Sequence, residues 1–288
     1  MTQIGVLGLG LIGQALTRRL VAAGYDVIGY DPSPQAVEAF EDIGGKGMTS
    51  DEVWQAPTIL TAVFDTAQLR QVIASAPDGT GAVVISTSTC DPDEMPDLAR
   101  LAKTKQIDLI EAPLSGTSKD LAHGNAVFLL GGEASVCAAQ SGLFSALGRS
   151  QHYLGGIGQG NRAKLAVNLV LGLNRAALAE GLVFAKGLGL DPAAFLPLLQ
   201  VTAASSAVMS GKGPLMVGRD FRPLGRIAQS AKDFALIREA GAKAGQALPF
   251  AQTYLQMMQD CLDHDEGDLD NSAILLAIER AQSSDPHT

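Results

Sequence analysis

One glycine-punctuated turn near the start of the chain limits the folds open to it more than any other feature. The apolar run Ile4–Leu7 reads as a strand. It leads into Gly8-Leu9-Gly10-Leu11-Ile12-Gly13 and then into a helical pattern over Ile12–Ala23. In such a turn Gly8 permits the tight reversal, Gly10 lets backbone approach a pyrophosphate with no Cβ in the way, and Gly13 lets the helix pack close to the strand. The helix start then offers free N–H groups and a positive dipole end to phosphate. The acid that such a site uses to read a ribose belongs at the end of the second strand, where Asp31 follows Tyr30. A carboxylate there accepts from both ribose hydroxyls and repels a 2′-phosphate, so NAD is expected rather than NADP. Asp31 has a second possible role, as N-cap of a helix starting at Pro34. Gly8, Leu9, Gly10, Leu11, Ile12, Gly13 and Asp31 are the expected cofactor contacts.

The chain keeps this rhythm up to about residue 155. Short apolar runs at Val27–Tyr30, Ile59–Val63, Ala82–Ser86, Leu109–Ala112, Ala126–Leu130 and His152–Leu154 alternate with helical patterns at Pro34–Ile43, Ala67–Ser75, Asp93–Lys105 and Glu133–Leu147. Strand–helix alternation predicts a mostly parallel sheet covered on both faces, a doubly wound, Rossmann-type α/β domain over residues 1–160. Residues 161–288 read as all-helical, a domain for substrate binding and oligomerisation. Asn161–Leu188 forms one long central helix joining the two, apolar nearly all round at Leu165, Leu169, Val170, Leu173, Leu178, Leu182 and Phe184. A helix without a polar face is expected to be buried. Further helices are expected at Pro192–Gln200, Gln229–Ala244, Phe250–Cys261 and Ser272–Ala281, with a frayed tail at Ser283–Thr288.

Charge narrows the function further. The chain has 288 residues with 21 Lys plus Arg against 30 Asp plus Glu, a net charge of −9. It carries no electrostatic footprint for nucleic acid or an anionic membrane, so an anionic ligand must be held by backbone amides or a few placed cations. Cys90, Cys137 and Cys261 are odd in number and widely spaced, which points to reduced thiols and a cytoplasmic address. The most apolar stretch, Leu165–Asn174, is ten residues long against about 20 for a membrane span. His123, His152, His264 and His287 lack metal-ligand spacing, and no metal is expected. The acidic run from Asp263 to Asp270 reads as a solvated loop capping the Ser272 helix.

A fingerprint names a cofactor and leaves the reaction open. Gly155-Gly156-Ile157-Gly158-Gln159-Gly160 runs into the long helix, where Lys164 and Asn168 are four apart and share a face. Burial and the helix start both disfavour the lysine's charged form, which suits an amine that exchanges a proton with an alcohol or carbonyl. The other role for Lys164 is a stem snorkelling from the helix start. Glu111-Ala112-Pro113-Leu114-Ser115-Gly116-Thr117 closes a strand at the sheet edge where ligands bind. Ser115, Gly116 and Thr117 offer neutral donors suited to a carboxylate, or else form a capped turn.

Taken in this order, the segments resemble the β-hydroxyacid dehydrogenase family, which includes 3-hydroxyisobutyrate dehydrogenase-like enzymes and is related to 6-phosphogluconate dehydrogenase. The resemblance spans nearly the whole chain. Ser88-Thr89-Cys90-Asp91-Pro92 matches a Ser-Thr-x-x-Pro stretch in which Thr89 would lie beside the nicotinamide half of the cofactor. Val63-Phe64 stands where the family has a Leu-Pro pair contacting the cofactor through backbone. Gly155, Gly158, Gly160, Lys164 and Asn168 meet the family's glycine–lysine–asparagine pattern in full, which implies Lys164 as acid/base and Asn168 as substrate-orienting. Lys232-Asp233 matches a Lys-Asp pair and implies that Lys232 reaches the cofactor, though an ordinary exposed helix charge would look the same. Thr117, Asp120 and Leu121 replace small residues of the family's substrate loop, so that loop is expected to differ in shape and hydrogen bonding. Leu224 and Gly225 stand where the family has an aromatic after Arg222-Pro223.

The resemblance implies an NAD-dependent dehydrogenase of a small 3-hydroxy acid, a homodimer or homotetramer with no nucleic-acid or membrane partner. Its substrate would lie between the sheet's carboxyl edge and the long helix. The alternatives are an NADPH-dependent semialdehyde or imine reductase on the same scaffold, and a non-catalytic NAD-sensing protein.

Overall fold

The computed structural model describes residues 2–283; the expected fraying falls, beyond Ser283, on residues outside these, as does His287. The chain divides into two compact units, the first ending at Lys164 and the second beginning at Leu165.

The first unit is built on six strands: β1 (Gln3–Leu7), β2 (Asp26–Tyr30), β3 (Lys46–Gly47), β4 (Thr58–Thr61), β5 (Val83–Ser86) and β6 (Asp108–Glu111). They are all parallel, in the order β3-β2-β1-β4-β5-β6. The chain therefore starts mid-sheet, winds to one edge, and returns to build the other. Side chains alternate across a strand, and the core divides accordingly. Val27, Leu60, Ile85 and Ile110 enter one buried cluster, while Ile28, Ile59, Val84 and Leu109 enter another on the opposite face. Strands buried on both faces are why these segments read as continuous apolar runs. This is the doubly wound sheet that the alternation predicts.

The last strands depart from expectation. β7 (Leu114–Ser115), β8 (Val127–Leu130) and β9 (Ser150–Tyr153) form a separate three-stranded sheet, with β7 antiparallel and β9 parallel to β8. A Glu111–Gly131 bridge links it to the end of β6. The expected single helix Glu133–Leu147 is two, Ala134–Ala139 and Ser141–Leu147, broken at Gln140. Two-residue strands β3 and β7 are too short to carry a period-2 signal.

The second unit has one core, in which Leu178, Leu182, Ile227, Phe234, Tyr254, Met258 and Ile274 are buried. Its helices include Pro192–Gln200, Ala207–Gly218, Ile227–Lys243, Pro249–Asp263 and Ile274–Ser283, the last preceded by a 3-10 turn at Asn271–Ala273. Ala207–Gly218 went unseen because Gly211, Gly213 and an internal Pro214 mask its pattern. The long helix runs Gln159–Gly187, and its expected burial all round is corrected. Val170 and Phe184 are 60% and 62% exposed, so only part of its surface is core. By length and composition this helix could cross a membrane, where Leu165–Asn174 alone is too short. The buried Asn168, Arg175, Leu178 and Leu182 make it a core helix of its unit, and core helices share that composition.

Candidate functional site

The fingerprint turn has the geometry its residues demand. A Cβ on Gly13 would lie 2.0 Å from the Gly8 carbonyl oxygen, so only glycine fits where helix meets strand. Gly10 is the opposite case, because a Cβ there would meet nothing within 4 Å. Its backbone is extended at φ −70°, which any residue adopts. Gly10 is therefore not needed by the chain's own packing, and its bare face is the kind of cradle a pyrophosphate would fill. The helix Leu11–Ala22 that follows has no side-chain cap and no acid in its first turn, which leaves its amide end compatible with an anion.

Asp31 ties the turn to the end of β2. Its carboxylate accepts from the Leu9 N–H at 2.8 Å and the Ser33 N–H at 2.9 Å. An ionised carboxylate has about four acceptor positions, so capacity for ribose hydroxyls remains. The N-cap role is corrected: Ser33 caps the Pro34–Glu41 helix, accepting from the Ala36 N–H. Along the same sheet edge, the Ser88 hydroxyl donates to the Val63 carbonyl at 2.7 Å and accepts from its N–H at 3.2 Å. That pair fixes the Val63-Phe64 backbone beyond β4, with Phe64 exposed and Thr89 buried beside Ser88.

The end of β6 is the most tightly built part of this unit. Glu111 is fully buried, and its carboxylate accepts from the N–H groups of Gly158 and Gly160, each at 3.0 Å. Burial pushes its pKa up, opposed by hydrogen bonds from the Asn161 side chain and from the backbone of Gly158, Gly160 and Asn161. The Asn161 carboxamide oxygen in turn accepts from the Cys90 N–H at 2.8 Å. The glycine loop and the start of the long helix are thus clamped to two strand ends. One and a half turns along that helix, Lys164 is 8% exposed, and its Nζ donates to the Leu114 carbonyl at 2.6 Å. Lys164 does not snorkel. Its amine lies inside the unit, against the first residue of β7.

The Ser115–Thr117 turn needs a correction. Thr117 gives both its N–H and its hydroxyl to the Asp120 carboxylate, each at 2.7 Å, and accepts from the Asp120 N–H at 3.1 Å. This reciprocal capping box starts a short helix, Ser118–Ala122. Thr117 has no donor left for a substrate. Ser115 and the exposed Gly116 backbone remain as candidates. The departure at Asp120 has this consequence, and at Leu121 the larger side chain is buried in the core.

In the second unit, Asn168 is buried and its Nδ2 donates to Asp233 at 2.8 Å, while its Oδ1 is buried without a partner. Lys232 is mostly buried and pairs with Asp233 at 3.0 Å, so it is no ordinary exposed helix charge. The acidic run is also corrected. Asp263, Asp265 and Asp268 are exposed, but Asp270 is fully buried and holds Lys212 through two 2.8 Å contacts. Asp270 also caps the Asn271–Ala273 turn. Burial pushes its pKa up, but the Lys212 charge and hydrogen bonds from Lys212 and Ser272 outweigh that and hold it below the ordinary carboxylate value.

Sequence reasoning assigned Glu111 and Asp233 no role of their own. An acid at the last position of an apolar strand, before Ala112-Pro113, is the signal that marks Glu111. Asp233 was visible only as half of a Lys-Asp pair.

Comparison with known proteins agrees with this fold. A family model described as the NAD binding domain of 6-phosphogluconate dehydrogenase matches residues 3–155. A second, described as NAD-binding of NADP-dependent 3-hydroxyisobutyrate dehydrogenase, matches residues 158–278. A probable 3-hydroxyisobutyrate dehydrogenase-like protein of Arabidopsis thaliana is 29% identical, the match covering 99% of this chain and 89% of that one. The 2-hydroxy-3-oxopropionate reductase of Escherichia coli is 28% identical, with 96% and 97% covered. A solved structure described as 3-hydroxyisobutyrate dehydrogenase from Salmonella typhimurium superposes with a TM-score of 0.87 over 96% of this chain and 99% of its own, at 22% identity. At that identity the likeness concerns the fold.

Proposed function

Since the chain belongs to the β-hydroxyacid dehydrogenase family, oxidoreductases that bind a nicotinamide dinucleotide, we propose that it is an NAD-dependent dehydrogenase of a small 3-hydroxy acid. It would interconvert that acid with its semialdehyde or keto acid. When bound, the dinucleotide supplies a nicotinamide ring that takes hydride from the carbinol carbon or returns it. Gly8 to Gly13 would hold the pyrophosphate through backbone, with Val63, Phe64, Thr89 and Lys232 as the further cofactor contacts. Asp31 favours NAD, because its carboxylate at the end of β2 would face any 2′-phosphate, and no Lys or Arg occurs from Pro32 to Phe40 to offset it.

The chemistry falls to Lys164. Entering as a free amine, its Nζ takes the hydroxyl proton as the carbinol is oxidised, and in the other direction the ammonium donates it to the carbonyl oxygen. Held by the Leu114 carbonyl, the amine needs no rearrangement to stay oriented, and fixed donors are worth most in a dry site. Asn168 would accept from the substrate hydroxyl through its unpartnered Oδ1. Ser115 and the Gly116 N–H would take the substrate carboxylate. We place the protein in the cytoplasm as a homodimer or homotetramer. The exposed Val170 and Phe184 on the long helix, with Leu188 just past its end, support the oligomer, as exposed apolar side chains grouped together call for cover.

The buried Lys164 amine is the observation that carries this reading. Lys164→Ala should cut turnover by about 10²–10⁴-fold, the usual worth of a placed acid/base, while NAD affinity measured by fluorescence stays near wild type. A screen of 3-hydroxy acids read by NADH absorbance supplies the substrate. A variant that keeps most of the wild-type rate would remove Lys164 from the chemistry.

A further inference from the structure

Inside the first unit, the loop that follows β5 meets the start of the long helix. A Cβ on Gly158 would lie 3.1 Å from the Pro92 carbonyl oxygen, so the glycine loop passes close to the β5 loop there. Arg162 pairs with Asp93 at 3.2 Å, but both side chains are about half exposed, and an ion pair of that kind holds position weakly. Asn161 joins the same two segments differently. It is fully buried, and its oxygen accepts from the Cys90 N–H at 2.8 Å. A hydrogen bond in a dry interior is electrostatically stronger than one in water, and leaving its donor unmade is penalised.

Both ends of that bond carry groups the reaction would use. Cys90 follows Thr89, and the Ser88 hydroxyl before it bonds both the N–H and the carbonyl of Val63. The Cys90 side chain is fully buried in the core on one face of the sheet. Packing thus fixes this loop at a side chain, and Asn161 fixes it at a backbone N–H. At the other end, Asn161 stands three residues before Lys164, which puts the two on one helix face, and the Leu114 carbonyl holds the Lys164 amine. The chemistry of the side chain suits the junction. Its oxygen takes an N–H, while its amide favours the charged form of the neighbouring Glu111. A carboxamide offers acceptor and donors at once without a charge, whereas an aspartate would set a second carboxylate against Glu111.

We propose that Asn161 is a positioning residue for the reaction. Through the Cys90 N–H it fixes the Thr89 loop, on which the nicotinamide would rest, relative to the Lys164 amine, so that hydride and proton are exchanged from one geometry. The inference rests on the dehydrogenase reading above, in which Thr89 contacts the cofactor and Lys164 moves the proton. Asn161 itself touches neither substrate nor cofactor. A displacement of about 1 Å between reacting groups costs on the order of 100-fold in rate, so the tether matters more to kcat than to binding.

The test follows 3-hydroxypropanoate and its 3,3-dideuterated form with NAD. Asn161→Leu removes the acceptor, and kcat should fall by about 10- to 100-fold, while NAD affinity read by fluorescence stays near wild type. The variant should show a full primary deuterium isotope effect on kcat, because the misaligned hydride step, and not product release, then limits turnover. A merely structural residue would lower the melting temperature and leave the kcat of the folded fraction unchanged. Asn161→Asp should be impaired at least as much. Adding Glu111→Gln to it should restore kcat to the level of Glu111→Gln alone, because one charge and one amide again face each other. A kcat for Asn161→Leu close to wild type, an absent isotope effect, or a loss confined to NAD affinity overturns the proposal. Should Asn161→Leu fail to fold by circular dichroism, Asn161→Asp with and without Glu111→Gln decides it, and no recovery in the double variant overturns it. Hydrogen exchange at the Cys90 amide separates this inference from the reading it rests on. That amide should be protected in wild type and exchange faster in Asn161→Leu. Turnover with an unprotected Cys90 amide overturns the tether and keeps the dehydrogenase. Protection at Cys90 with no NAD reduction by wild type, on this acid or any other in the screen, sinks the dehydrogenase reading, and the role in catalysis falls with it.

Discussion

The two units organise their polar groups in different ways. In the first, the groups along the cofactor edge sit at or just beyond the carboxyl ends of parallel strands: the fingerprint turn after β1, Asp31 after β2, Val63 after β4, Ser88 after β5 and Glu111 at the end of β6. The sheet acts as a ruler, because parallel strands in register bring those ends to one edge whatever the chain does in between. In the second unit the polar groups pair across helices with no such rule. Lys212 meets Asp270, Asn168 meets Asp233 and Arg175 meets Tyr254, at separations of 58, 65 and 79 residues. Where a lattice of backbone hydrogen bonds sets position, function is written in local motifs. Where side-chain packing sets it, a buried ion pair looks the same in sequence as a surface charge.

The largest effect that tests this contrast is on stability. Asp270→Ala leaves the Lys212 ammonium buried without its acid, and breaking a buried pair in this way costs about 3–5 kcal/mol. Hydrogen exchange should show the loss concentrated in residues 165–283. Equal loss of protection in residues 2–164 would mean that the two units do not hold their polar groups independently. Because the Asp270 pKa is lowered, its contribution is fully present above pH 3.8 and is lost as the pH falls below that value through the folded pKa.

Next in size is the ribose end of the first unit. Asp31→Ser removes the charge that would face a 2′-phosphate but keeps an acceptor. The ratio of kcat/KM for NAD over NADP should fall about tenfold or more, the worth of a charge contact of 1.4 kcal/mol or above. The Leu9 N–H loses its 2.8 Å partner in the same variant, so a small rise in KM for NAD should accompany it. An unchanged ratio would show that the strand-end rule places Asp31 without giving it selectivity.

How much could be read from residues alone follows the same division. The fingerprint, Asp31 and the strand alternation were legible because each depends on neighbours within one strand–helix step. Lys164 and Asn168 were legible as a pair because a helix places residues four apart on one face. Thr117 was misread as a substrate donor because Asp120, three residues on, competes for both its hydrogens, and a capping box needs the helix Ser118–Ala122 that five residues hardly announce. Asp270 was misread as solvated because it closes a run of acids, of which Asp263, Asp265 and Asp268 are exposed, and its partner Lys212 lies in a helix whose glycines and proline conceal it. Phe184 and Val170 were misread as buried because apolar character tells that a face will be covered and not what covers it.

The smallest effect concerns Glu111, where the first unit borrows the second unit's method by holding backbone with a buried acid. Glu111→Gln keeps the shape and one acceptor, but turns an amide NH₂ toward the second glycine N–H. Two terms oppose each other. The lost hydrogen bond costs about 1 kcal/mol, while removing a carboxylate from a dry site relieves the burial that pushes its pKa up. The sign of the pH dependence separates them. A raised folded pKa means that the native state holds the proton more tightly than the unfolded chain, so wild-type stability is highest below the ordinary glutamate value of 4.5 and declines as pH rises through the folded pKa. Chemical denaturation should therefore show wild type losing ground to Glu111→Gln from about pH 4.5 upward. The opposite slope would mean that the Gly158 and Gly160 N–H groups stabilise the charge more than burial penalises it. Because those glycines begin the helix that carries Lys164, the variant should lower kcat by a few-fold and leave KM for NAD nearly unchanged. A loss confined to KM for NAD would place Glu111 in service of the cofactor turn instead.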